Sequence, residues 1–403
     1  MFILNDFIDK YVTKRVESMF ENDMISHDKE LKDAIEDKTV LVIGGAGSIG
    51  SNFIKALLKH GTPKSLVVVD YNENGLAELT RDLRSSSYVV LPAEFITYPM
   101  DFASVVFEKM FRSRGGFEIV ANFSAHKHVR SEKDIYSVEA LLQNNVLNAK
   151  KLLDLLVSFP PDVYFCVSTD KAANPVNIMG ASKRIMEDVI FSYSSNFPVK
   201  TARFANVAFS NGSLPAGFLN RISKLQPLSA PSDVRRYFVS LEEAGQICLL
   251  AAMLGGNREI FFPKLSEVQM TTFDCIARDL LTVHGFHVLE CSSDEEALKR
   301  SAALQSGSLE YPVHFSASDT SGEKAFEEFV TSKETADYDR LKSLGVITGK
   351  VIPDKDKIDA LFEKLEKAFN NIAITKEEIV SIMQEYLPSF KHIETGKSLD
   401  SKM

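Results

Sequence analysis

The stretch Thr39-Val40-Leu41-Val42-Ile43-Gly44-Gly45-Ala46-Gly47-Ser48-Ile49-Gly50 decides the architecture of this chain. Its first five residues are apolar or β-branched without polar alternation, as in a strand covered on both faces. The glycines follow at once, and Phe53, Ile54, Leu57 and Leu58 then recur at helical spacing. A strand, a glycine turn and a helix in immediate succession open a parallel α/β unit. The glycine spacing has steric reasons: one residue permits the tight turn, one lets backbone approach a pyrophosphate, and one lets helix pack on strand. The helix start adds unpaired N–H groups and the positive end of a dipole.

Working outward, Leu66–Val69 reads as a second buried strand ending in Asp70, 20 residues beyond Gly50 (70 − 50 = 20). A carboxylate at that place meets the ribose hydroxyls of a dinucleotide and repels a 2′-phosphate. No Arg or Lys follows in Tyr71-Asn72-Glu73-Asn74, so NAD is expected rather than NADP. Further strands are expected at Ile119–Phe123, Val163–Val167 and Phe204–Phe209, with a long helix over Val138–Val157. The alternation predicts an α/β fold, a Rossmann-type doubly wound parallel sheet with a smaller C-terminal mixed α/β substrate-binding region. The expected divisions are a helical, amphipathic extension over 1–37 and an NAD-binding domain over 38–211. A substrate-binding region over 212–350, with some segments returning to the sheet, and C-terminal helices and tail over 351–403 complete them. Residues 292–310 read as a surface helix or loop. Ile358, Leu361, Phe362, Leu365 and Phe369 stand at helical spacing, and Thr375 with Glu378 forms a capping box for a last helix ending before Pro388. Residues 394–403 are expected to fray.

The 403 residues carry a formal net charge of -9. An acidic balance argues against nucleic acid or an anionic membrane as main partner, but leaves local phosphate binding by backbone dipoles open. The four cysteines are far apart, with no CxxC spacing, and Cys166 and Cys248 lie in apolar runs. This argues against a disulfide framework or zinc site and for a reducing compartment. No cluster has metal-ligand spacing, so no metal is expected. No run approaches the ~18 apolar residues that span a bilayer, and the N-terminus lacks signal-peptide features, so a cytoplasmic location is expected.

Ser168-Thr169-Asp170-Lys171-Ala172-Ala173-Asn174-Pro175 leaves a predicted strand's carboxyl end, where open α/β sheets bind ligands, and Met179-Gly180-Ala181-Ser182-Lys183 opens a helix. With Gly45–Gly50, Lys127-His128-Val129, Asn145-Val146-Leu147, Arg203-Phe204-Ala205-Asn206-Val207, Arg236-Tyr237-Phe238 and Gly322-Glu323-Lys324 before Glu327-Glu328, the chain resembles the extended short-chain dehydrogenase/reductases. Within them it is similar to the bacterial UDP-N-acetylglucosamine 4,6-dehydratases of polysaccharide biosynthesis, from about Lys38 to Ile347.

The resemblance implies a nucleotide-sugar dehydratase with bound NAD, acting on a UDP-linked N-acetylhexosamine, and a homo-oligomer. It implies Asp170 as acid, Lys171 as the base for the sugar C5 proton, Thr169 near O4 and Lys183 at the nicotinamide ribose. Gly44, Gly47, Ser48, Ile49, Gly50, Asp70, Asp101, Ser124 and Ala125 are expected at the cofactor, and Lys127, His128, Asn206, Arg236 and Glu323 at the substrate. His126 reads as a solvated loop residue.

Three departures stand out. Met179 replaces the superfamily's tyrosine and carries no exchangeable proton, although the long dehydratases are similar to this chain in having Met there. Asp101 stands near Tyr98, where the family has an adenine-contacting Asp. Thr320 stands where the family has an Arg before its Gly-Glu-Lys segment. Two rival readings follow: a 4-epimerase, which has no use for an acid at C6, and a non-catalytic NAD-binding protein, for which Met179 is the best argument.

Overall fold

The computed structural model describes residues 2–319, 322, 324 and 326–394. The first six strands are β1 (Thr39–Ile43), β2 (Ser65–Asp70), β3 (Glu94–Pro99), β4 (Ile119–Asn122), β5 (Val163–Thr169) and β6 (Val199–Phe204). Among the described residues they belong to a nine-stranded sheet ordered Thr335–Asp337, Leu344–Thr348, Glu259–Pro263, β6, β5, β4, β1, β2, β3. All pairings from Glu259–Pro263 through β3 are parallel, and the two pairings beyond it, of Leu344–Thr348 with Glu259–Pro263 and with Thr335–Asp337, are antiparallel. This is the expected Rossmann-type doubly wound sheet. Its winding reverses between β1 and β4, and there the strand ends open a crevice. Ile43 pairs with both Val69 and Asn122, so Gly44, Asp70 and Phe123 emerge side by side at that crevice.

Two local expectations are corrected. The strand expected at Phe204–Phe209 is Val199–Phe204. Its alternation is masked because Lys200, Thr201 and Arg203 are buried by pairing their polar ends rather than by being apolar. Only Asn206–Val207 follows, paired with Phe238–Val239. The helix expected over Val138–Val157 runs as Ile135–Leu142, a π-helical turn at Gln143–Leu147, and Asn148–Ser158. A π-turn adds a residue to the helical repeat and is frequent at functional sites. Here it accompanies the aiming of Asn144 and Asn145 at the loop after β4.

A smaller parallel sheet orders His287–Glu290, Glu310–Ser316 and Leu228–Pro231 over its own apolar core, which includes Phe218, Leu280, Tyr311 and Val313. The N-terminal segment bridges both bodies. Phe7, Ile8 and Val12 enter the small core, whereas Phe20, Met24, Leu31 and Ile35 enter the large one. Between them, Arg15 Nε and Nη2 donate to Glu243 at 2.9 and 2.7 Å. The segment is mostly helical, as expected, with helices at Leu4–Phe7, Glu21–Ser26 and Asp28–Ile35 and a π-helical stretch at Ile8–Val12 that continues the first. At the other end, Lys355–Phe369 buries Ile358, Leu361, Phe362 and Leu365, and Lys376–Tyr386 begins with the expected Thr375–Glu378 capping box. Residues 395–403 lie outside the described residues. Among the described residues, no helix is long and apolar enough to cross a membrane.

Arg203, fully buried on β6, ties the sheet to the segment before its last strands. It donates to Glu187 at 2.9 and 2.8 Å, to Glu334 at 2.7 and 2.8 Å, and to the Phe329 carbonyl at 2.8 Å.

Candidate active site

Two adjoining cavities of about 590 and 800 Å³ open along the crevice. They share a wall that includes His126, Lys127, His128, Lys171 and Asn206.

The smaller cavity lies over the glycine turn, and Gly44, Gly47, Ser48, Ile49, Gly50, Asp70, Asp101, Ser124 and Ala125 all face it. Gly44 adopts φ +74°, and a Cβ there would lie 2.7 Å from both Phe123 C and Ser124 N. Only glycine fits that approach. Gly47 caps the helix Ser48–His60 without a side-chain acceptor, and the Ser48, Ile49 and Gly50 amides find no acceptor among the described residues. Three orphan amides at a helix start suit a pyrophosphate. Asp70 is buried and accepts from Ala46 N at 3.0 Å and Asn72 N at 2.9 Å, which fixes the turn while each carboxylate oxygen keeps a further lone pair. Asp101 accepts from Ala103 N at 2.8 Å. These residues fit a dinucleotide.

β5 ends in Thr169, and Lys171 just beyond it stands at the junction of the cavities. Lys171 lines both cavities, and Thr169 lines the smaller one with Met179 and Lys183, one helical turn apart on the helix Ile178–Ser192. Asn177 caps that helix by accepting from Gly180 N at 2.7 Å, and buried Glu132 accepts from Met179 N at 2.8 Å. Burial outweighs the two backbone donors from Met179 and Ile178 and pushes the Glu132 carboxyl up to about 7. Lys183 is buried; its ammonium donates to the Val167 carbonyl at 3.0 Å, and desolvation lowers its pKa. Asn145 receives His126 N at 2.9 Å and donates to the His126 carbonyl and to Ser182, so it locks the loop after β4 to this helix.

Asp170 is placed differently from its neighbours. It is buried, forms part of neither cavity wall, and directs Oδ1 at three donors. These are Thr169 Oγ1 and Lys171 N at 2.9 Å each and Lys171 Nζ at 3.1 Å. It braces Thr169 and Lys171 rather than facing the cavity.

The larger cavity holds Lys127, His128, Arg130, Asn206, Arg221 and Arg236. Desolvation depresses the pKa values of Lys127, His128 and His126. His126 is an exposed loop residue, as expected, and also lines both cavities. Asn206 Nδ2 is buried without a hydrogen-bond partner, as a group awaiting a ligand would be. Arg236 donates to the Arg235 and Lys324 carbonyls at 2.9 Å each. Glu323 lies outside the described residues. Glu327 was not singled out from sequence, yet it is buried on this wall. Its only sequence signal is its place after Gly322-Glu323-Lys324, and nothing local distinguishes it from Glu328, which instead accepts from Asn174.

The family profile described as polysaccharide biosynthesis protein matches residues 40–348. The chain is 27% identical over 363 residues to a Methanocaldococcus jannaschii protein named as an uncharacterized membrane protein, covering 89% of this chain and 98% of that one. It is 29% identical over 263 residues to Bacillus subtilis EpsC, a probable polysaccharide biosynthesis protein, covering 64% of this chain but only 42% of EpsC. It is 28% identical over 246 residues to the inverting UDP-N-acetylglucosamine 4,6-dehydratase of Campylobacter jejuni, covering 58% and 69% of the two chains. Among solved structures, a Streptomyces venezuelae dTDP-glucose 4,6-dehydratase with NAD bound superposes with TM-score 0.54 at 19% identity, covering 73% of this chain and 88% of that one.

Proposed function

The chain belongs to the polysaccharide biosynthesis protein family of extended short-chain dehydrogenase/reductases, whose relatives modify nucleotide sugars, and from that premise we propose that it is an NAD-dependent 4,6-dehydratase of a UDP-linked N-acetylhexosamine. The observation that carries this reading is Lys171, braced by Asp170 and turned into the junction of the two cavities. A 4-epimerase reacts only at C4 and has no use for a second proton-transfer centre there.

The residues suited to hold NAD are the Ser48–Gly50 amides at the pyrophosphate, Asp70 at the adenosine ribose and Lys183 at the nicotinamide ribose. The cofactor supplies hydride acceptance at C4 and its return at C6. Lys127, Arg221 and Arg236 line the larger cavity as cations for the diphosphate, and the unpartnered Asn206 amide offers it a further donor. Thr169 lies beside the C4 oxygen. Met179 cannot take the O4 proton, so that proton leaves through Lys171 or water in the cavity. Once C4 is a ketone the C5 proton is acidic, and Lys171 removes it. A carboxyl beside Lys171, from Asp170 or Glu327, protonates the departing C6 oxygen.

Incubation with UDP-N-acetylglucosamine and mass spectrometry of the nucleotide sugar tests the reading. Loss of one water without net NADH is expected, and Lys171→Ala should abolish it while NAD binding survives. Unchanged mass with inverted C4 would replace the proposal by a 4-epimerase. Unchanged substrate, extending to GDP- and dTDP-sugars, would leave a non-catalytic NAD-binding protein.

A further inference from the structure

The last described residues lie beyond the 40–348 stretch that the family profile matches, yet they return to the candidate site. After the helix Lys376–Tyr386 the chain runs beside Pro175-Val176. Lys391 N donates to the Pro175 carbonyl at 3.4 Å, and Ile393 N donates to the Val176 carbonyl at 3.0 Å. Pro175 and Val176 belong to the short link between the turn Asp170–Ala172 and the helix Ile178–Ser192. His392 stands between the two pairings. Its ring lies 5.8 Å from that of Phe390, which is 2% exposed, and its Nε2 is buried without a hydrogen-bond partner among the described residues. That nitrogen is 3.9 Å from Oε2 of the buried Glu132.

We propose that His392 is a positioning residue of the active site: it holds Glu132, and Glu132 fixes the start of the helix that carries Met179 and Lys183. The proposal rests on the dehydratase reading for its turnover measurements alone. Glu132 Oε1 accepts from Met179 N at 2.8 Å, the Ile178 amide also donates to the carboxylate, and Oε2 faces His392. The Glu132 carbonyl receives Lys376 Nζ at 2.8 Å, and Lys376 pairs with Glu394 at 2.5 Å, so the last helix and the tail close on the same point. The helix start has no slack against Lys171, because a Cβ at Gly180 would lie 2.7 Å from the Lys171 carbonyl. A shift of that start therefore displaces Lys171 and, further along the helix, Lys183. Glu132 also ends the turn Val129–Glu132, whose Arg130 and Ser131 line the larger cavity.

A buried imidazole nitrogen without a partner is costly, and an approach of about 1 Å closes a hydrogen bond to Glu132. Burial pushes the Glu132 carboxyl up to about 7 and pushes the His392 imidazole down, so near neutrality the two share one proton. The charges acting on them are Lys376 and Glu377 from the last helix and Glu394 from the tail, and the helix Ile178–Ser192 presents its Ile178 and Met179 amides. Amides bind a carboxylate more strongly than a neutral acid. The helix start is thus held more firmly as pH rises through about 7 and Glu132 loses its proton.

The test combines hydrogen exchange followed by mass spectrometry with turnover of UDP-N-acetylglucosamine by the NAD-loaded enzyme. His392→Leu should speed exchange in peptides covering residues 176–184 and leave the glycine-turn peptides unchanged. It should lower kcat roughly 10-fold at unchanged KM and NAD affinity, since a misplacement of about 1 Å can cost up to about 10²-fold. His392→Gln, which keeps a donor at similar reach, should restore both readouts. Glu132→Gln keeps an acceptor for Met179 N and should erase the ionisation near pH 7 from the kcat profile. Wild-type exchange over 176–184 in His392→Leu overturns the proposal, as does failure of His392→Gln to restore it. Faster exchange spread over the whole chain with a lowered melting temperature also overturns it, because that marks a plain structural role. If the wild-type enzyme yields no dehydrated product, the dehydratase reading falls, and exchange over 176–184 still decides whether His392 holds the helix start.

Discussion

Replacing Glu334 by Ala should destabilise the protein by about 4 kcal/mol. The figure follows from what the carboxylate holds. It accepts two of the Arg203 guanidinium's donors at 2.7 and 2.8 Å and the Thr331 amide at 2.9 Å, and it pairs with Lys350. Arg203 has no exposed surface and Glu334 only 5%. Loss of two charge-assisted hydrogen bonds at about 1.5–3 kcal/mol each brackets about 3–6 kcal/mol, and breaking one side of a buried pair typically costs about 3–5 kcal/mol. Glu187 still neutralises Arg203, which places the loss mid-range. Against a total of about 5–15 kcal/mol, the variant remains folded at 25 °C with little reserve. Urea unfolding at pH 7 measures the loss through a lower midpoint at unchanged slope. Because Arg203 also holds the Phe329 carbonyl, and with it the segment carrying Glu327, kcat should fall while NAD affinity holds. A loss under about 1 kcal/mol, the size of an exposed pair, would show that Arg203 is hydrated and the reasoning wrong.

Acid should unfold the protein through the same network. Burial pushes Glu187 and Glu334 up, but Arg203 outweighs it and holds both below the usual range, so their stabilisation is present above about 4.5 and is lost as pH falls through their folded values. Glu132 works with the opposite sign: raised from 4.5 to about 7, it contributes stability that is complete below 4.5 and is lost as pH rises through about 7, roughly 3 kcal/mol in all. Glu132→Gln should therefore flatten the stability decline between pH 5 and 8 in urea titrations, and parallel wild-type and variant curves would contradict this. Gly50→Ala places a Cβ against the Gly44 carbonyl and 2.9 Å from Gly45 Cα, both backbone that cannot turn aside. About 1–3 kcal/mol of overpacking should appear as a roughly 10–100-fold weaker NAD affinity by calorimetry, and unchanged affinity would dissociate the turn from the cofactor.

Much of this was readable in advance because it is local. Thr39–Gly50 specifies strand, turn and helix within twelve consecutive positions, and Asp70 needs only the adjacent parallel strand to reach Ala46. The same holds for the capping box at Thr375 and for Lys171 leaving a strand end. Strand β6 was harder to place because Arg203 and Lys200 look like surface residues until their partners, Glu187, Glu334 and the Ala252 carbonyl, are known.

The sequence by itself determined the doubly wound class, the glycine turn between strand and helix and the place of Thr169–Lys171 at a strand end, since backbone sterics, periodicity and short-range spacing act along contiguous chain. Only the tertiary structure decided where the carboxyls sit and what they touch. It turned Asp170 behind Lys171, put Glu327 rather than Glu328 on the cavity wall, and joined Arg203 to a glutamate 131 residues away. Those outcomes depend on burial and on which charges meet across the fold, and both are set by packing between segments distant in the chain.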